Sequence, residues 1–377
     1  MNWRSSATRK TTLALLLALA AVSNAEARTE TDAKPLIAPA PIPAQRPARP
    51  QAAPQIQPAQ PKSAAPKQTT PRVSPEAAEV ERLRLINGAK SWGYQLNGAT
   101  IDALANSPYD LLVVDGTTGL ASGKPFTPDE VNRLKRKPDG SRRIVISYLS
   151  VGEAEDYRPE YFAKEYMEEE APDWLMQENP DWKGNRIIQF CSEGWQKTML
   201  GDDKGRSLYD SITPSPANRL IELGFDGVYL DRVDVYEEIK KQCPDGEAKM
   251  VDFVVRLANH TRKSNPHFMV IQQNAEDLLK HPRLVKAIDG MGKESLFYGW
   301  GGGDASNSAK TNAATSIKWS VDRLNMAKNA GRAIFVIDYT SSRANADSAV
   351  KRNRELGYVP YIGPKELNTL YLPGQNF

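Results

Sequence analysis

Five carboxylates in this 377-residue chain sit where a short apolar run gives way to polar sequence: Asp115, Glu153 (with Glu155 close by), Asp231, Glu294 and Asp338. A carboxylate on a helix face is usually only a solvated charge. One that closes a buried β-branched run must offset its desolvation with a partner or a role. The structural alternative is that each caps the following helix or pairs with a nearby Lys or Arg, as Arg232 beside Asp231 and Asp234 suggests. Paired carboxylates at one mouth suit glycoside hydrolysis: one protonates the leaving oxygen while the other attacks the anomeric carbon or activates water. Aromatic residues lie among the same runs, with Tyr94, Tyr148, Tyr298 and Trp300 as candidates to stack on the C–H faces of a sugar. The three histidines are scattered, no Cys-x-x-Cys or His-Glu-x-x-His occurs, and the chemistry calls for no metal or cofactor.

These residues need elements that converge on one rim. Apolar runs at 92–96, 111–114, 144–149, 187–190, 228–230, 269–272, 288–292, 334–337 and 358–362 alternate with helix-like stretches. The helix candidates fall at 99–107, 128–135, 159–169, 195–200, 217–223, 246–264, 316–329 and 344–356. Alternating βα units predict a parallel sheet with helices outside. The first run, Ser91-Trp92-Gly93-Tyr94-Gln95-Leu96, lacks the glycine-rich phosphate turn of a doubly wound sheet, so the expectation is an α/β fold of the (β/α)8 TIM-barrel type. Nine runs compete for eight places, and 187–190, polar at Gln189, is assigned as an accessory piece. Asp231 then closes the fourth barrel strand and Glu294 the sixth, at the end where barrels carry their chemistry.

The N-terminus carries an address. Arg4, Arg9 and Lys10 precede an apolar run over residues 13–22, and small residues at Ser23-Asn24-Ala25 follow, the pattern of a secretory signal peptide over residues 1–25. That run is too short to remain as a membrane span, so a secreted or periplasmic protein is expected. Residues 26–75, rich in Pro, Ala and Gln with few large apolar side chains, predict a disordered linker, leaving 76–377 for the barrel. The formal charge of +3 resides in the N-terminal segments: seven Lys/Arg against two acids over residues 28–75 contribute +5, and residues 76–377 are net acidic. That distribution excludes nucleic acid as the main partner. Cys191 and Cys243 form an even pair in an exported chain, which permits a disulfide without requiring one.

Three segments, Ser147-Tyr148-Leu149-Ser150-Val151-Gly152-Glu153-Ala154-Glu155-Asp156-Tyr157-Arg158, Gly224-Phe225-Asp226-Gly227-Val228-Tyr229-Leu230-Asp231 and Gly292-Lys293-Glu294, together resemble glycoside hydrolase family 114. Its characterised members are endo-α-1,4-polygalactosaminidases on a β/α barrel. The resemblance runs from Ser91 to the C-terminus and is nearest to a branch of extracellular proteins sometimes mislabelled cysteinyl-tRNA synthetases. It implies a retaining pair with Asp231 as nucleophile and Glu294 as acid/base, with Asp115 and Glu155 lining the cleft and Asn274 at the family's Asn. Where the family shows Pro-Asp-Asn-x-Asp, this chain has Leu230-Asp231-Arg232-Val233-Asp234, a difference that bears on the substrate. The implied activity is hydrolysis of an α-linked, galactosamine-containing or related polysaccharide. The alternative is a non-catalytic polysaccharide-binding or envelope-assembly protein on the same barrel.

Overall fold

A computed structural model describes residues 73–117, 124–156, 158, 171–207, 213–299 and 311–373. The signal-peptide expectation, nearly all of the linker expectation, the helix expected over 159–169 and Trp300 lie outside these residues.

Eight parallel strands form the barrel in the order β1 (Trp92–Gln95), β2 (Leu111–Val114), β3 (Ile144–Ser150), β7 (Gly227–Asp231), β8 (Met269–Gln273), β9 (Gly290–Glu294), β10 (Ala333–Asp338) and β11 (Val359–Ile362). The ring is nearly closed: Trp92 Nε1 of β1 donates to the Val359 carbonyl of β11 at 3.0 Å. The strands are short, rich in Val, Ile and Leu, and mostly buried on both faces, as parallel strands covered by helices must be. Aromatic rings fill the barrel interior. Trp92 packs against Tyr94, Tyr229, Phe335 and Tyr361 with centroids 5.6–6.2 Å apart. Gly292 is required there, because a Cβ at that position would stand 2.0 Å from the Tyr229 hydroxyl oxygen. The small residues before Glu294 therefore make room for this ring rather than for a ligand.

The outer layer follows ordinary helix rules. Thr127 and Glu130 form a reciprocal capping box at Pro128–Leu134. Helix Gly246–Ser264 buries a stripe from Met250 through Val254 and Leu257 to Thr261 against the barrel. Helix Pro75–Gly88, which the sequence pattern did not single out, begins at the edge of the Pro-rich segment with Ser74 as its N-cap. Its buried Arg82 pairs with Asp289 at 2.9 Å and donates to the Pro266 carbonyl, anchoring the helix at the start of β9.

The segment after β3 departs from a plain βα unit. Glu153–Glu155 (β4), Leu175–Glu178 (β5) and Asn185–Ile188 (β6) form a small antiparallel sheet in the order β4-β6-β5. The odd ninth run is thus an accessory strand, as expected, and Glu153 belongs to this sheet rather than to the end of β3. Cys191 and Cys243 are bonded across a 52-residue separation, tying the segment after β6 to the approach to helix Gly246–Ser264. No helix among the described residues is long and apolar enough to cross a membrane.

Candidate active site

Three successive strands of the ring, β7, β8 and β9, end in Asp231, Gln273 and Glu294. The next residue in each case is a non-glycine in the left-handed region: Arg232 at φ 58°, Asn274 at φ 51° and Ser295 at φ 53°. Such backbone is uncommon and costs free energy, and it clusters where a site is over-determined by its surroundings. Here it turns each chain away from the barrel immediately after the polar side chain has been set at the rim.

Gln273 joins the two acids. Its Nε2 donates to Asp231 Oδ1 at 2.5 Å and to Glu294 Oε2 at 3.0 Å. Two oxygens at those distances from one nitrogen lie at most 5.5 Å apart. Tyr148 Oη donates to Asp231 Oδ2 at 2.8 Å. Tyr339 Oη donates to Glu294 Oε1, and Asn274 Nδ2 donates to Glu294 Oε2 at 3.2 Å while its own Oδ1 accepts from the Glu294 backbone N–H. Gln273 and Tyr339 were not among the site residues expected from sequence. Tyr339 is one of many aromatics in and beside the strands, and a glutamine at a strand end carries no signal by itself.

Burial raises the Asp231 carboxyl to about 6, and the neighbouring Glu294 charge adds to the rise against the opposing Tyr148 hydrogen bond. Glu294 is also raised, again by burial, with the Tyr339 and Asn274 bonds opposing. Two acids this close disfavour double ionisation, so the pair tends to hold one proton into the neutral range. That state lets one group attack while the other donates.

The pair lies in a cleft of about 970 Å³ that also takes in Tyr94, Tyr148, Glu153, Glu155, Asp234 and Asn274. The chemistry open to these residues differs. Glu153 accepts from Asn179 Nδ2 at 2.6 Å and Asn185 Nδ2 at 2.9 Å, and Arg232 Nε lies 2.7 Å from it, so both its oxygens are engaged by protein. Glu155 is held by buried Arg158. Asp234 is partly exposed and only 3.6 Å from Arg232. Tyr94 borders the cleft but is almost wholly buried.

Three expected substrate contacts do not line the cleft. Asp115 is turned onto Arg158 and accepts from the Thr117 N–H and hydroxyl at 3.0 Å. Asp338 accepts from the Phe297 and Tyr298 N–H groups at 2.6 and 2.9 Å and from Asn353 at 3.1 Å; burial nevertheless raises its carboxyl to about 6. Tyr298 is buried beside it. For these residues the structural alternative describes what the side chains touch.

The sequence profile described as glycoside-hydrolase family GH114 matches residues 70–375. The chain belongs to this family. Two uncharacterised proteins are similar to this GH114 chain. One, from Deinococcus radiodurans, is 31% identical over 84% of this chain and 94% of its own length. The other, from Methanocaldococcus jannaschii, is 33% identical over 74% of this chain and 79% of its own. Among solved structures, the glycoside hydrolase domain of PelA from Pseudomonas aeruginosa superposes with a TM-score of 0.55 at 19% identity, covering 75% of this chain and 97% of that domain. That likeness establishes a common barrel. Membership in GH114 makes this a glycoside hydrolase.

Proposed function

We propose that this protein is an exported, retaining glycosidase acting on an α-linked, galactosamine-containing polysaccharide, with Asp231 as nucleophile and Glu294 as acid/base. The observation that carries the reading is the shared Gln273 donor, which limits one carboxylate oxygen pair to 5.5 Å. Retaining pairs stand about 5–5.5 Å apart, whereas inverting pairs need roughly 6.5–9.5 Å to admit a water. Glu294 gives its proton to the glycosidic oxygen as Asp231 attacks the anomeric carbon, forming a glycosyl ester. Glu294, now ionised, takes a proton from water, and the water oxygen displaces Asp231. Tyr148 and Gln273 steady the Asp231 carboxylate before it attacks and again once water has displaced it.

The cleft's charge supports an amino sugar. Among the described residues its lining carries nine carboxylates against four Lys or Arg, a field that favours a cationic, deacetylated chain over a range of about 8–10 Å. The Cys191–Cys243 bond and the N-terminal signal pattern agree with an oxidising compartment, periplasmic or extracellular. Cleavage after Ala25, read by N-terminal sequencing of the mature protein, tests the export.

The activity is tested by reducing-end release from deacetylated and N-acetylated α-1,4-linked galactosamine polymers, using the full chain beside Asp231→Asn and Glu294→Gln. Turnover lost in both variants, with the first-formed anomer retaining the configuration of the bond cut, is expected. Polymer binding without turnover in the parent chain would transfer the protein to the polysaccharide-binding class.

A further inference from the structure

Two side chains of the cleft have no part in the chemistry above. Six large apolar residues are exposed among the described residues, and only two of them are aromatic: Trp182 at 49% and Trp319 at 40%. Both line the cleft that holds Asp231 and Glu294. Tryptophan is a costly residue to leave in water, so this coincidence asks for a ligand with an apolar face.

The backbone that carries Trp182 and the ring of Trp319 each have a built support. Trp182 sits in the turn between β5 and β6, closed by its N–H to the Asn179 carbonyl at 3.3 Å and by the Asn185 N–H to its own carbonyl at 3.1 Å. Asn179 and Asn185, the two ends of that turn, both donate to Glu153. Glu153 thereby anchors the turn that carries Trp182. Trp319 lies in the second turn of helix Ala314–Asn329. The Arg323 guanidinium covers its ring at 4.0 Å and is itself tethered to Asp277 at 2.6 Å. Holding a ring in place before a ligand arrives removes part of the ordering cost of binding.

The strand order places them. The hairpin bearing Trp182 follows β3, and the helix bearing Trp319 follows β9. Between those points the ring runs β3-β7-β8-β9, the arc that carries Asp231, Gln273 and Glu294. The two indoles bracket the reacting pair.

We propose that Trp182 and Trp319 are sugar-stacking platforms on either side of the scissile bond, holding an internal stretch of one polysaccharide chain across the Asp231–Glu294 pair. The proposal rests on the glycosidase reading and deepens it. A pyranose with an axial C4 hydroxyl gathers the C–H bonds of C3, C4 and C5 into one apolar patch, and an indole matches that patch without reading the sugar's charge. Selection for the amine is left to the carboxylates and affinity for the ring to the two tryptophans.

The test separates binding from turnover. The full chain carrying Asp231→Asn is run in native gels containing the deacetylated α-1,4-linked galactosamine polymer or its N-acetylated form. Adding Trp182→Ala or Trp319→Ala should weaken the retardation about tenfold each, equivalent to ~1.4 kcal/mol. Trp319→Tyr should restore most of it, which a misfolded variant could not do. Met326→Ala, exposed on the same helix but away from the cleft, should match its parent. Retardation undiminished by either tryptophan change, alongside reducing-end release by the unaltered chain, would remove the platforms and leave the glycosidase. Neither retardation nor release on these polymers would remove both.

Discussion

Replacing Asp231 with Asn should abolish turnover and, at neutral pH, make the protein more stable. The Asp231 carboxyl is raised from 3.8 to about 6 by burial and by Glu294. A carboxyl whose folded pKa exceeds its unfolded value binds its proton more tightly in the native state. Its contribution is therefore fully present below about pH 4 and is lost as pH rises through about 6. A rise of about two units corresponds to ~3 kcal/mol. Asp231 is partly open to the cleft, and solvent screening there reduces the figure to ~1.5 kcal/mol. Asn has the same shape, keeps an acceptor for Tyr148 or Gln273 and cannot ionise. For a barrel of this size the gain is a Tm increase of about 2–5 °C at pH 7. It should shrink through pH 6 and vanish near pH 4. Thermal melts of the full chain and the variant from pH 4 to pH 8 measure this. A melting point unchanged or lowered at pH 7, or raised equally at pH 4 and pH 7, would refute the claim that the buried charge at Asp231 is the source.

Gln273→Met removes the donor shared by both acids and should move both limbs of the pH–rate profile upward by ~1 unit, since a hydrogen bond to a charged group is worth ~1.5–3 kcal/mol; an unmoved profile would dismiss the bridge. Gly292→Ala forces a methyl against the Tyr229 hydroxyl inside the aromatic-filled barrel and should destabilise by ~3 kcal/mol or more, read as a lower denaturation midpoint in urea. Cys191→Ser opens a loop closed across 52 residues and should cost ~2–4 kcal/mol, with reductant lowering the Tm of the parent chain and leaving that of the variant unchanged.

The barrel was legible because its strands are contiguous β-branched runs broken by polar residues, a signal carried within a few positions of sequence. The same local signal marked Asp231 and Glu294 along with three other strand-end carboxylates, and the family resemblance singled out the pair. What was not legible depends on partners far along the chain. Asp338 ends β10 much as Asp231 ends β7, but it turns to the Phe297 and Tyr298 N–H groups some forty residues earlier, and nothing local distinguishes the two cases. Glu153 takes its meaning from Asn179 and Asn185, and Asp115 from Arg158. Gln273 was missed because its work requires the β7 and β9 ends to be within reach at once, a fact of strand order. The helix at Pro75–Gly88 was missed because its buried residues, Ala78, Arg82 and Ile86, make a stripe that includes a charge, and only Asp289 explains it.

The strain at the rim has the same long-range origin. Glycine would relax the backbone at Arg232, Asn274 and Ser295, where a left-handed conformation costs ~1–2 kcal/mol for another residue. At two of these positions the side chain has work a glycine cannot do. Asn274 bonds Glu294 from both its amide nitrogen and its carbonyl oxygen, and Arg232 stands within reach of Glu153, Asp234 and Glu238. The left-handed turn aims each of them back across the rim, where a residue in extended conformation would continue along the strand. Backbone strain and buried like charge are thus concentrated on one arc of three strands, and the aromatic-filled barrel beneath is what holds them there. This is why neutralising Asp231 should release stability while ending catalysis.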